Sequence, residues 1–125
     1  MNRYGAIADR IAGMRTAVRL APKGMLIVEL SADTNPDFGK DSWEGQVKIK
    51  PIYETVRTMA DASKAVRRFI EKNNLGGGNF TGGRVWDDRE EVAHVSYNGR
   101  VWEPGKYPTP EIDVGQFDRD MASSR

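Results

Sequence analysis

The chain has 125 residues, a length typical of one domain. Its 38% apolar and 30% charged residues indicate a globular fold, and 19 basic against 18 acidic side chains leave a net charge of +1, which excludes a histone-like protein. The chain contains no cysteine, which excludes disulfide scaffolds, zinc fingers and iron–sulfur clusters, and its single histidine excludes His-rich metal sites. We expect no cofactor and, since no apolar run reaches the roughly 20 residues of a membrane span, no membrane contact.

The first predicted element is an amphipathic helix over residues 1–20, which Pro22 and Gly24 end. Its apolar stripe recurs at alternating spacings of three and four residues and consists of Tyr4, Ile7, Ile11, Met14 and Val18. The apolar run Met25–Leu30 then predicts a largely buried strand. Gln46–Lys50 alternates apolar and lysine side chains and predicts a half-exposed strand, which Pro51 should bend or place at a sheet edge.

The polar loop Asp33–Glu44 has oxygen ligands at positions 1, 3, 5, 9 and 12 of a twelve-residue stretch, as in an EF-hand calcium loop. However, Phe38 stands where that loop needs glycine, Lys40 replaces a branched apolar residue, and the flanks are strands rather than helices. An ordinary turn-rich loop uses the same residue types. We favour that interpretation and expect no metal.

A second helix is predicted from Thr58, a good N-cap with Asp61 three residues later. Asn73-Asn74-Leu75-Gly76 resembles a left-handed helix stop. The glycine-rich stretch 76–83 lacks the lysine of a phosphate-binding loop and follows a helix, so a flexible connector is expected, with Phe80 docked on the core or on a partner. The apolar face of the helix consists of Met59, Ala62, Val66, Phe69 and Ile70.

Three strands should follow, at 84–87, 91–97 and 100–103, with Asn98-Gly99 as a two-residue type I′ turn. From Pro104 onward we expect an extended or disordered tail. The sequence therefore predicts one α+β domain over residues 1–103 and a tail over 104–125. The domain would be an antiparallel sheet with two helices on one face, in the order α-β-β-α-β-β-β.

A two-residue turn would pair Val95 with Trp102 and His94 with Glu103. One face of the meander formed by these three strands would then be aromatic and basic, and it would also carry Ala93 and Val95. The other face would carry the remaining valines with His94, Ser96 and Glu103. The candidate partner-binding residues on the first face are Arg84, Trp86, Tyr97, Arg100 and Trp102.

Two assignments of these faces stay open. If the valine face is the core, the aromatic and basic side chains form an exposed platform with the composition of a binding surface, which could also stack nucleic-acid bases. If the large aromatics are the core, His94, Ser96 and Glu103 face water, which accounts for three polar residues on one face. Catalysis by His94, Ser96 and Glu103 is not expected, because side chains two residues apart on a strand stand too far apart for reliable contact.

Residues 75–102 resemble small uncharacterised proteins of bacterial phages, prophages and plasmids, in which a Gly-rich loop precedes a strand ending in Ser-Tyr-Asn-Gly-Arg-Val-Trp. Here that motif is residues 96–102. The resemblance implies a mobile element in a bacterial cytoplasm, where small accessory proteins often block a host machine, as anti-CRISPR proteins do. We therefore expect a non-enzymatic protein that binds a protein partner.

The alternative is a small nucleic-acid-binding accessory protein that uses the same sheet or two basic helices. Residues 1–25 hold five basic side chains against one acidic side chain. The second helix adds Lys64, Arg67, Arg68 and Lys72.

Overall fold

A computed structural model describes residues 24–32 and 49–123. Within these ranges five strands form one antiparallel sheet in the order β2-β1-β3-β4-β5, and two helices accompany it, so the predicted α+β class is confirmed. In chain order the elements are β1 Leu26–Ala32, β2 Ile49–Val56, α1 Met59–Lys72, β3 Arg84–Asp87, β4 Glu90–Val95, β5 Val101–Trp102 and α2 Val114–Ser123.

Some sequence predictions fall on other parts of the chain. The predicted helix over residues 1–20 and the loop Asp33–Glu44 lie outside the described residues, as does the start of the predicted strand Gln46–Lys50. The rest of that strand belongs to β2, which stands at one end of the strand order. Pro51 lies in β2 where the pairing with β1 shifts by one residue, because a proline cannot donate a ladder hydrogen bond.

Helix α1 begins and ends where its sequence signals predict. The Thr58 side chain accepts a hydrogen bond from the backbone N–H of Asp61 at 3.1 Å, which satisfies one of the free donors of the first turn. Asn74 has a positive φ of 52°, and the N–H of Leu75 donates to the carbonyl of Ile70 at 3.0 Å. All five predicted apolar positions of the helix are buried.

The prediction of an extended or disordered tail was wrong for residues 114–123, which form α2. Its apolar side chains pack against the core, and the Asp118 carboxylate accepts hydrogen bonds from the backbone N–H groups of Met59 at 2.7 Å and Ala60 at 3.2 Å. Asp118 therefore caps the N-terminus of α1 from a distant part of the chain. The sequence does carry a signal for this helix, because Asp113 is an N-cap residue and Val114, Phe117 and Met121 follow at helical spacing. The prolines before residue 111 led to the prediction of a tail instead.

The turn between β4 and β5 has three residues rather than the predicted two. The Ser96 N–H donates to the Arg100 carbonyl at 2.8 Å, so Tyr97, Asn98 and Gly99 form the loop. Of these three, Gly99 alone has a positive φ, 88°, as in three-residue hairpin loops that end on a left-handed glycine. Val95 therefore pairs with Val101 and His94 with Trp102, and the pairings predicted from a two-residue turn were wrong.

A second irregularity lies between β3 and β4. The turn at residues 88–89 has two residues, but Val85 pairs with Ala93 whereas Trp86 pairs with Glu91, so Val92 is an extra residue in β4. Neither predicted face is therefore correct in full. The core beneath α1 takes Val85 and Val101 from the predicted valine face, and Ala93 and Val95 from the predicted aromatic face.

The end of the glycine-rich segment, residues 80–83, is packed closely against the sheet, contrary to the flexible connector predicted from its composition. Phe80 pairs with Ala32 in an isolated bridge and lies 6.3 Å from the Phe69 ring, so it docks on the core. A Cβ on Gly82 would lie 2.6 Å from the Ser31 nitrogen, and one on Gly83, where φ is +107°, would overlap the Val95 carbonyl oxygen. These glycines allow the backbones of β1 and β4 to approach this segment closely.

Gly83→Ala should therefore lower stability by roughly 1–3 kcal/mol, because its φ is unfavourable for a residue with a Cβ and the overlapping atom belongs to the backbone. Gly78→Ala is the matched control, since a Cβ there meets nothing within 4 Å and φ is not positive. Thermal unfolding of both variants measures the difference. Equal melting temperatures for Gly83→Ala and Gly78→Ala would contradict the close packing of this segment.

Candidate functional site

A buried ion pair lies on the outer face of the sheet, which we define as the face opposite α1. Glu29, in the central part of β1, has 0% exposure. Arg84 on β3 donates to both of its carboxylate oxygens, from Nε at 3.2 Å and from Nη2 at 3.0 Å, and the Tyr53 hydroxyl donates at 3.4 Å. The hydrogen bond to Glu29 raises the pKa of Arg84, so this guanidinium stays charged.

Trp86 adjoins this pair. The Arg84 guanidinium carbon lies 5.3 Å from the centroid of the Trp86 ring, within the range of a cation–π contact, and the Tyr53 ring lies 6.3 Å from it. Trp86 is only 6% exposed. The structure therefore places this predicted partner-binding residue mainly in packing on the outer face.

Beyond Arg84, towards β5, an open groove of about 540 Å³ runs along the outer face. It crosses Arg84, His94 and Trp102, which are cross-strand neighbours on β3, β4 and β5. The turn after β4 and the segment after β5 supply the remaining sides. The lining residues are Arg84, Glu91, His94, Ser96, Asn98, Trp102, Glu103, Pro104, Gly105, Tyr107 and Thr109.

The half-buried Trp102 ring is fixed from two directions. Its indole Nε1 donates to the Ser96 hydroxyl at 3.1 Å, and that hydroxyl donates to the Asn98 side-chain oxygen at 2.6 Å. The Arg100 guanidinium lies 4.9 Å from the ring centroid and pairs through two nitrogens with the Glu111 carboxylate, one of them at 3.0 Å. This pairing lowers the pKa of Glu111 and raises that of Arg100, so both groups stay charged at neutral pH.

The lining of the groove carries more acidic than basic side chains. Glu29 neutralises Arg84, and Glu111 neutralises Arg100. Glu91 and Glu103 line the groove as well, and the negative charge of Glu91 also raises the pKa of Arg84. The lining therefore contains two glutamates and one arginine, and the charge of that arginine is already balanced by Glu29.

Tyr97 does not belong to the groove. Arg67 of α1 donates to the Tyr97 carbonyl at 2.6 Å, and its guanidinium lies 5.4 Å from the Tyr97 ring. Ser63 of α1 likewise donates to the Gly99 carbonyl at 2.6 Å. These contacts tie the β4–β5 turn to the helix, and Tyr97 keeps 39% exposure beside Arg67.

Of the five predicted residues, Arg84 and Trp102 line the groove, and Arg100 flanks it. The sequence prediction missed Glu91 and Tyr107. It had placed His94, Ser96 and Glu103 on a separate face, whereas the structure brings them to the same groove as Trp102. Tyr107 was assigned to the tail because of its neighbouring prolines, yet it is the most exposed large hydrophobic side chain of the described residues, at 93%.

Residues 24–32 and 49–123 contain no cluster of three or more carboxylate or histidine side chains suited to a metal ion. Neither described helix has the length and apolarity to cross a membrane.

Comparison of the chain with protein-family models, with curated proteins and with solved structures finds no match.

The two bidentate Arg–Glu pairs allow a matched stability test. Arg84→Met should lower the free energy of unfolding by about 3 kcal/mol, because the Glu29 carboxylate is fully buried. This loss is at the low end for breaking a buried ion pair, because Arg84 itself is partly exposed. Arg100→Met removes a pair with the same geometry at the surface and should change the melting temperature little. Chemical denaturation of both variants gives the comparison. A larger loss for Arg100→Met would show that burial of Glu29 does not set the strength of the pair.

Proposed function

We propose that the chain is a non-enzymatic binding protein that contacts a partner protein through the groove on its outer face. The observation that carries this proposal is the fixed Trp102 ring in an open groove beside the exposed Tyr107. Large aromatic rings held in one orientation lose little conformational freedom on binding, and they dominate the energetics of many interfaces. A binding role also accounts for an exposed aromatic side chain at the edge of a groove.

The alternative, a nucleic-acid-binding accessory protein, is supported less well by this groove. Phosphate contacts need cations that are free to replace counterions. Here the carboxylates of Glu29 and Glu111 engage both arginines near Trp102, and Glu91 and Glu103 add negative charge. The groove therefore favours a protein partner over a nucleic acid.

The surroundings of Ser96 favour a structural role for this side chain. Its hydroxyl accepts from the Trp102 indole and donates within the turn, to Asn98. A serine nucleophile would instead need a base within hydrogen-bond reach. Ser96 is thus well suited to hold the turn and the indole.

The setting of the proposed function comes from the resemblance of residues 75–102 to proteins of mobile elements. We propose that the protein acts in the bacterial cytoplasm. The partner to test first is a host defence complex, which the protein would inhibit by occlusion, as anti-CRISPR proteins do.

Tyr107→Ala tests this function without disturbing the core. Quantitative capture of partners from a bacterial lysate should return one host complex with the wild-type chain and at least tenfold less of it with Tyr107→Ala. The melting temperature should change by less than about 2 °C, since exposed positions contribute little to stability. Ile52→Ala, at a 52% exposed position of β2, is the matched control and should retain the partner.

Equal capture by wild type and Tyr107→Ala would contradict the proposed use of the groove. Titration of labelled single- and double-stranded oligonucleotides tests the alternative. Affinity tighter than micromolar that falls steeply with salt would favour a nucleic-acid-binding function.

A further inference from the structure

We infer that the groove recognises a lysine or arginine side chain presented by an extended segment of the partner protein. This inference rests on the proposed function and adds the chemistry of the partner. The cation would be received by the carboxylates of Glu91 and Glu103 and by the aromatic rings of Trp102 and Tyr107, all of which line the groove.

The charges of the lining residues favour a basic ligand. Among the lining residues one arginine stands against two glutamates, and that arginine is bound by the buried Glu29. Glu103 is exposed, and none of the ion pairs between described residues includes its carboxylate. An approaching cation therefore meets uncompensated negative charge, whereas an acidic segment would be repelled.

The aromatic rings of this protein also favour contact with cations. Three aromatic side chains of the described residues already hold a guanidinium at 4.9–5.4 Å: Tyr97, Trp86 and Trp102. Tyr107, the other aromatic ring of the groove, has no such contact within the described residues and is almost fully exposed. A partner cation over this ring would be attracted in the same way.

The shape of the groove favours an extended segment. It follows three neighbouring strands across the sheet and continues along the segment Glu103–Thr109. A single small cation would contact only part of this length. A chain segment places one basic side chain near the carboxylates while its backbone and neighbouring side chains contact the rest.

Three synthetic peptides of equal length test the inference, each with a Gly-Ser background and either three lysines, three glutamates or three glutamines. The readout is the indole N–H cross-peak of Trp102 in a ¹H–¹⁵N spectrum, assigned with Trp102→Phe. Up to millimolar peptide, only the lysine peptide should shift this cross-peak. The Kd of the lysine peptide should rise at least tenfold for the double variant Glu91→Gln/Glu103→Gln. It should rise less than twofold for the control Glu90→Gln, because Glu90 is a neighbouring exposed carboxylate outside the groove.

The inference would be overturned by an unshifted Trp102 cross-peak with the lysine peptide, by equal binding to the double variant, or by a stronger response to the glutamate peptide or to a single-stranded oligonucleotide. The proposed function is judged separately, with the captured partner. A partner lost by Tyr107→Ala but retained by Glu91→Gln/Glu103→Gln would leave the proposed function in place and refute the basic side chain as its ligand. Retention by both variants would contradict both proposals.

Discussion

The carboxylate of Glu29 lies in the sheet with no exposed surface, and a charge in that position must be paired. Arg84 provides the pairing from the neighbouring strand through two hydrogen bonds, and its guanidinium also stacks on Trp86. One interaction thus joins β1 to β3 and fixes a tryptophan. It also balances the positive charge of Arg84 with the carboxylate of Glu29, so the glutamates that line the groove leave it with negative charge.

The orientation of Trp102 depends on two local insertions in the meander. The extra residue Val92 in β4 and the three-residue loop that ends at Gly99 each shift the strand pairing by one position. With both insertions, the small and branched side chains of β3, β4 and β5 lie beneath α1. On the opposite face, His94 and Trp102 then lie beside Arg84. The contacts of Arg67 and Ser63 with the loop hold this arrangement from the helix side.

Local signals in the sequence predicted the local structure well. The limits of α1 follow from Thr58 and Asn74, whose side-chain chemistry and backbone preference act within a few residues. The register of the meander was not predictable in this way, because Asn98-Gly99 suits loops of two or three residues, and packing against α1 selects between them. The partner of Glu29 was also missed, although a carboxylate within the apolar run Met25–Leu30 is itself a signal that a cation must lie nearby in the fold.

The groove around Trp102 is open and lined by two glutamates, and quenching of tryptophan fluorescence by ions measures both its accessibility and its charge. In a Trp43→Phe variant the remaining tryptophans are Trp86, only 6% exposed, and Trp102. Iodide quenches free tryptophan more efficiently than caesium does, so each quenching constant is divided by that of N-acetyltryptophanamide at the same ionic strength. The normalised constant should be larger for caesium than for iodide, and Glu91→Gln/Glu103→Gln should reduce that difference. A larger normalised constant for iodide, or no accessible emission at all, would contradict an open acidic groove.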